Sequence, residues 1–287
     1  MSGAPPIDGE TRLYGILGHP VSHTISPPMH NAAFRALGHN AVYLPFPVPP
    51  ERLEAAVAGL RSVGVRGLNV TVPHKTAVVP LLAELTPAAR AIGAVNTLRR
   101  HAGGWCGTNT DGTGFILSLQ HDLGWRAEGK RVLMLGAGGS ARSIGWHLLQ
   151  EGAARLTIAN RTPERAVALA EALARDPGGT VECLPLDGLA GAAPDLLVNT
   201  TTVGMGDSRV PADLAPVGVR EAVIDIVYAP PVTPLLEQAR ALGLAHTNGL
   251  GMLLYQAVAA FEFFTGAEAP VEVMRAALES AMEPSER

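Results

Sequence analysis

One stretch restricts this chain more than any other: Val132-Leu133-Met134-Leu135-Gly136-Ala137-Gly138-Gly139-Ser140-Ala141, an apolar run, then G-x-G-x-x-A. Residues 131–135 read as a buried strand, and the apolar spacing over 141–151 reads as a helix. Each small residue then has a physical reason. Gly136 permits a tight turn, Gly138 lets backbone approach a pyrophosphate, and Ala141 allows helix and strand to pack closely. The start of the helix turns its free N–H groups and positive dipole end toward the phosphates. The pattern points to a dinucleotide. Methyltransferases use a similar turn and a plain βα turn needs small residues too, so the strand and helix flanks carry the reading.

The next strand decides which dinucleotide. An acid at its end would bind the ribose 2′-hydroxyl of NAD and repel a 2′-phosphate. Residues 156–159 end instead in Asn160-Arg161-Thr162, with Arg165 one turn later. An amide, a hydroxyl and two guanidiniums suit a phosphate dianion, so NADP is expected over NAD. The competing reading makes both arginines ordinary solvated charges.

Composition excludes several classes. The 287 residues carry 22 basic and 26 acidic side chains, a net charge of −4, so no overall positive field exists to hold nucleic acid. At 47% hydrophobic and 17% charged, the chain has the makeup of a folded globular protein of about two domains. Cys106 and Cys183 form no C-x-x-C pair, which favours a reducing compartment. The opening residues lack a basic and then apolar leader, and the most apolar window, 250–264, contains Gln256 and Glu262. A cytoplasmic protein without a membrane span is expected.

Strand-like segments at 12–17, 41–46, 67–72 and 94–99 alternate with helical ones at 27–37, 50–60 and 75–82, before a loop over 101–110. A second series follows, with helices at 113–123, 141–151, 164–175 and 233–242 and strands at 131–135, 156–159, 196–199 and 222–227. Two final helices, 251–264 and 271–282, need a surface to cover and are expected to return to the first domain. The expected architecture is α/β: a discontinuous substrate domain, 1–112 plus 249–287, with an open and mostly parallel sheet, and a Rossmann-type NADP domain over 113–248.

Three polar loops follow strands of the first half, where open parallel sheets place ligands. They are residues 19–27, with Thr24 and Ser26; residues 69–75, with Asn69, Thr71, His74 and Lys75; and Asn96-Thr97 together with Asn109-Thr110-Asp111-Gly112. Hydroxyls, amides, one amine and one carboxylate suit a small ligand with several hydroxyls and an acid group. Ser26, ahead of Pro27, also fits a helix N-cap. His19, His23 and His30 have no accompanying Cys or acid at ligand spacing, so no metal is expected. Tyr228 and Gln256 are polar groups in apolar segments, equally readable as core residues or as ligand contacts.

Over nearly its whole length the chain resembles the shikimate dehydrogenases. The resemblance rests on Tyr14 to Gly18, His23-Thr24-Ile25-Ser26-Pro27, Asn69-Val70-Thr71-Val72-Pro73-His74-Lys75, Ala94-Val95-Asn96-Thr97, Asn109-Thr110-Asp111-Gly112, the glycine turn, Asn160-Arg161-Thr162, and Asn248 to Met252 with Gln256. It implies reversible NADP-dependent reduction of 3-dehydroshikimate, with Lys75 and Asp111 as the catalytic pair. It also implies Thr24 and Ser26 on the substrate carboxylate, and Asn69, Thr71, Asn96, Asp111, Tyr228 and Gln256 around the ring. At the cofactor it implies Gly136, Ala137, Gly138, Gly139, Ser140, Ala141, Asn160, Arg161, Thr162, Arg165, Thr200, Ile226 and Gly249.

The usual S-x-S of the carboxylate loop is Thr24-Ile25-Ser26 here, which adds a methyl and leaves quinate or aminoshikimate as alternative substrates. The chemistry stands beside the resemblance: hydride delivered to a ketone makes an alkoxide, and an ammonium next to a carboxylate can protonate it. A binding-only sensor would have no use for both Lys75 and Asp111. The expected partner is a small molecule, and the expected state a monomer or homodimer.

Overall fold

The computed structural model describes residues 7–175 and 179–283. They form two compact units, Met1–Thr110 with Gln256–Arg287, and Asp111–Tyr255.

The first unit opens with β1 (Arg12–Gly18), α1 (Ser26–Ala36), β2 (Ala41–Pro47), α2 (Leu53–Ser62) and β3 (Gly67–Val70). It continues with the two-residue β4 (Glu84–Leu85), α3 (Pro87–Ile92), β5 (Thr97–His101) and β6 (Gly104–Thr108). The sheet order is β2-β1-β3-β5-β6-β4. Strands β2, β1 and β3 run parallel, whereas β5 is antiparallel to both β3 and β6. Buried Leu17, Leu68, Val70 and Leu98 pack with α2 residues Leu53 and Val57 on one face.

Several expectations for this unit fail, among them a strand over 94–99 that the structure places at Thr97–His101. Residues 75–82 form turns and a single 3-10 turn at Val79–Leu81 in place of a helix, because Pro80 removes an N–H and restricts Val79 before it. The expected loop over 101–110 contains β6, since Ala102-Gly103 closes a tight hairpin whose next residue, Gly104, has φ of 157°. Strand β3 stops at Val70 and leaves Thr71 to Lys75 as a connection. Helix α3, outside the expected elements, nonetheless carries readable end signals: Thr86 caps it by accepting from the Ala89 N–H at 3.3 Å, Pro87 is its first residue, and Gly93 closes it in the left-handed region.

The second unit contains α4 (Asp111–Leu123), β7 (Arg131–Leu135), α5 (Gly139–Gln150), β8 (Arg155–Ala159), α6 (Pro163–Leu173) and β9 (Thr180–Leu184). After it come β10 (Leu196–Asn199), α7 (Leu214–Val217), β11 (Ala222–Asp225), α8 (Pro234–Ala241) and β12 (Ala245–Thr247). All six strands are parallel in the order β12-β11-β10-β7-β8-β9. Numbered within the unit, this is the 3-2-1-4-5-6 order of a Rossmann sheet. Its buried strands are apolar runs, as a sheet covered on both faces requires. β11 ends at Asp225, two residues before the expected 227, because Asp225 turns its side chain to the buried polar contacts described below.

Two helices close the chain, α9 (Leu250–Thr265) and α10 (Val271–Met282). The second break between units falls inside α9, at Tyr255, and not at residue 248. The Tyr255 ring stacks on His121 of α4 at 5.0 Å, while Phe261 and Phe264 lie among Tyr14, His30 and Phe34 of the first unit. Helix α10 packs on α1.

Candidate functional site

In the first unit the sheet changes direction at β1, which pairs with β2 on one side and β3 on the other. Ligands bind at such switch points, beyond the C-terminal strand ends. There the chain places residues 19–26 after β1 and 71–75 after β3. The two connections are tied together: the His19 N–H donates to the Val72 carbonyl at 3.0 Å, and the Thr71 N–H to the Leu17 carbonyl at 2.9 Å.

Lys75 sits on a firmly held turn. The buried His74 ring contacts the Val48 carbonyl at 2.6 Å through Nε2, and the Lys75 carbonyl accepts from the Val95 N–H at 2.8 Å. Behind it lies a buried polar lattice. The Tyr43 hydroxyl donates to Asn69 Oδ1 at 2.7 Å, and Asn69 Nδ2 donates to the Asn96 carbonyl and to Thr97 Oγ1, both at 3.2 Å. Asn96 in turn donates through Nδ2 to Thr110 Oγ1 at 3.0 Å and accepts the Thr110 N–H at 2.8 Å. Such a network fixes the strand ends because each member would be costly to leave unpaired. Asn69 and Asn96 are thus lattice members, while Thr71 and Thr24 are only half-buried and keep accessible surface.

Tyr43 was missed from sequence, where it reads as one more apolar residue of β2. Burial pushes its phenol well above the usual range, which keeps it a neutral donor, and the Ser26 hydroxyl beside it opposes that shift. Ser26 does not cap α1: the capping position is Ile25, without a side-chain bond, and Ser26 is the first helical residue. Its hydroxyl accepts from Thr24 Oγ1 at 3.3 Å. Gln256 lies half-buried on α9. His30 is fully buried, stacked on Tyr43 at 4.3 Å, and both its ring nitrogens lack hydrogen bonds. Among the described residues no three His, Cys, Asp or Glu side chains group as metal ligands.

In the second unit the switch point lies between β7 and β10. Gly136 adopts φ of 110°, and a Cβ there would run into Thr200 Oγ1, so only glycine fits. Thr200 Oγ1 donates to the Leu135 carbonyl at 2.7 Å. No side chain caps α5, which starts from extended Gly138 and is followed by Ser140 and buried Ala141. Nothing stands within 4 Å of a Cβ built on Gly138 or Gly139. Free N–H groups beside open space at a helix start suit a pyrophosphate.

At the end of β8, Asn160 Nδ2 donates to the Thr162 carbonyl at 2.8 Å and shapes the turn. Arg161 and Arg165 are exposed and, among the described residues, have no carboxylate within ion-pair distance. Gly249 passes so close to the Ile226 carbonyl that a Cβ would collide with it. Tyr228 is half-buried, with its phenol pushed up by burial. Asp111 starts α4 and is buried; its neighbour Gly112 donates its N–H to Ser143 Oγ of α5 at 2.9 Å.

Sequence reading also missed a buried carboxylate. Asp225 Oδ1 accepts from Asn199 Nδ2 at 2.9 Å and the Val227 N–H at 3.1 Å, and its Oδ2 accepts from Thr233 Oγ1 at 2.7 Å. Burial raises its pKa, and the three donors oppose the rise. Asn199 Oδ1 meanwhile holds Thr201, so the two strand ends that carry Thr200 and Ile226 are locked together. Lone polar residues ending apolar strands, as in Leu196 to Asn199 and Ala222 to Asp225, are the signal that could have found this pair.

Fold and site define a Rossmann-type dinucleotide-binding α/β protein with a second α/β unit. Family models for the shikimate dehydrogenase substrate binding domain, shikimate / quinate 5-dehydrogenase and the shikimate 5′-dehydrogenase C-terminal domain match residues 16–98, 119–202 and 249–279. The shikimate dehydrogenase (NADP(+)) of Citrifermentans bemidjiense is 51% identical over 278 residues, covering 95% of this chain and 96% of the relative. The chain belongs to the shikimate dehydrogenase family. Among solved structures, shikimate 5-dehydrogenase from Thermus thermophilus in complex with NADP(H) and shikimate is 35% identical, with a TM-score of 0.86 over 94% of this chain and 100% of that one. Quinate dehydrogenase from Corynebacterium glutamicum in complex with NAD is 34% identical, with a TM-score of 0.87 over 94% and 99%.

Proposed function

We propose that this protein catalyses the reversible NADP-dependent reduction of 3-dehydroshikimate to shikimate. The observation that carries the reading is the 51% identity, across 95% of the chain, to an NADP(+)-dependent shikimate dehydrogenase. The site chemistry agrees with it. The uncapped start of α5 and open Gly138 and Gly139 fit a pyrophosphate, and Asn160, Arg161, Thr162 and Arg165 fit a 2′-phosphate without an opposing acid. The bound nicotinamide supplies or accepts the hydride.

In this reading the residues of this chain bind, orient and move the proton. Thr24 and Ser26 donate hydroxyls to the substrate carboxylate. Asn69, Thr71, Asn96, Tyr228 and Gln256 surround the ring, with Asn69 and Asn96 held by the lattice. Lys75 gives a proton from Nζ to the developing alkoxide in the reductive direction and recovers it in the oxidative one. Asp111 balances the charge of the pair and accepts from a substrate hydroxyl. The first unit is assigned to substrate and the second to NADP. A cytoplasmic monomer or homodimer without nucleic-acid partners completes the proposal; among the described residues no helix is long and apolar enough to cross a membrane.

Thr24 in place of the usual serine, with a quinate dehydrogenase among similar structures, favours quinate as the second reading. Initial rates on shikimate and quinate, each with NADP+ and NAD+, test both. A kcat/KM highest for shikimate with NADP+ is expected, and a preference for quinate with NAD+ would overturn the assignment.

A further inference from the structure

The first unit carries a second concave site that the reaction does not use. An open basin of about 610 Å³ is lined by Arg12, Arg61, Arg66, Arg99 and Arg100, five of the 20 arginines in a chain of net charge −4. Among the described residues none of the five has a carboxylate within 4 Å; the nearby Glu84 is taken up by His101 at 3.4 Å. Like charges gathered without counter-ions repel one another, and an anion that enters removes the repulsion.

The basin is built. Arg61 donates to the Ala102 carbonyl at 3.2 Å, and its Nε is buried with no partner. The guanidinium of Arg99 lies over the Phe263 ring at 4.7 Å, which orients it. Arg66 and Arg100 are set side by side, since the Arg100 N–H donates to the Arg66 carbonyl at 2.9 Å. Tyr14 and Phe264 supply an apolar wall.

Strand polarity puts this basin away from the substrate residues. Arg12 begins β1 and Arg66 precedes β3, while antiparallel β5 brings Arg99 opposite Gly67. Asn69, Thr71 and Lys75 follow at the other strand end, and the four residue steps from Gly67 to Thr71 span roughly 13 Å. Guanidinium forks match phosphate oxygens two at a time, and several forks around one basin favour a ligand with several phosphate groups. We propose that this basin binds a small polyphosphate anion, either free or as the phosphate chain of a nucleotide, at a site separate from substrate and cofactor.

The experiment is calorimetric titration of the full chain with tripolyphosphate and with ATP, in about 0.15 M salt and with saturating NADP+ to occupy the dinucleotide site. One ligand per chain is expected, with a rise in thermal midpoint on saturation. Similar affinities for both probes would assign recognition to the phosphate chain, and tighter ATP would assign it to a nucleotide. Arg66→Gln with Arg100→Gln should weaken binding at least tenfold while leaving kcat and KM for shikimate unchanged. The ligand-free double variant should melt no lower than the parent, because it relieves repulsion; a merely structural role for these arginines would lower its midpoint. Absent binding, binding equal in the variant, or orthophosphate binding as tightly as tripolyphosphate would overturn the proposal. Arginine-dependent self-association in sedimentation, without ligand uptake, would overturn it in favour of a contact between copies.

Discussion

Lys75 presents its ammonium from a turn pinned by His74 on one side and by the Val95 N–H on the other, so its backbone has little freedom to lose when substrate arrives. If it is the proton donor, Lys75→Ala should lower kcat by about 10² to 10⁴ while KM moves far less, because the lost interaction belongs to the transition state. Asp111→Ala should raise KM as well. Steady-state kinetics on purified variants separate these outcomes, and a normal kcat with a tenfold higher KM would make Lys75 an anchor. Under the proposed function the cofactor preference rests on Arg161, which is exposed and, among the described residues, has no carboxylate within ion-pair distance. Arg161→Ala should reduce the NADP over NAD affinity ratio by about 10- to 100-fold, the scale of one charge-assisted contact of about 1.5 to 3 kcal/mol. Residue types and their spacing were enough to nominate these groups. Tyr43 and Asp225 stayed hidden because a buried tyrosine or aspartate in a strand looks the same as a surface one until its partner on another strand, Asn69 or Asn199, each 26 residues away, is in place.

At the scale of elements, the glycine turn shows a local pattern and a tertiary contact agreeing. Gly136→Ala forces a Cβ at φ of 110° and against Thr200 Oγ1, so it should destabilise the second unit by about 1 to 3 kcal/mol and weaken NADP binding. Urea unfolding combined with a cofactor titration checks both effects. Segments such as α5, α8 and α10 were readable because their apolar spacing is sustained over two or more turns, and α8 adds Thr233 and Pro234 at its start. Short pieces were not. β4, with two residues, and β12, with three, have no period of their own, and they count as strands only because β6 and β11 offer edges to pair with. The false helix over 75–82 shows the converse, in which apolar spacing is overruled by a single proline at position 80.

For the whole molecule, acid stability should depend in part on a buried histidine, His30. Burial lowers the His30 pKa from 6.5 to about 3, so the ring is neutral in the fold and binds a proton on unfolding. Its contribution is therefore complete above about pH 6.5 and is lost as pH falls toward 3, at about 1.4 kcal/mol per pH unit. His30→Phe keeps a ring against Tyr43 and removes the proton. Denaturant midpoints at pH 7.5 and 5 should therefore fall less in the variant than in the parent, and equal losses would show that His30 does not titrate with unfolding.

By itself the sequence determined the α/β class, the glycine turn of the Rossmann unit, and the family, because these depend on local spacing and on residue types that only a few chemistries require. The folded chain decided the rest. It ran one strand of the first sheet, β5, against the other five, moved the second break between units into α9, built the Tyr43–Asn69–Asn96 and Asn199–Asp225 networks, and gathered five arginines from β1, α2, β5 and the segment before β3 into one basin. Each of these brings together residues far apart along the chain, and which of them become neighbours is set by strand pairing and by the packing of a shared core, which no local pattern encodes.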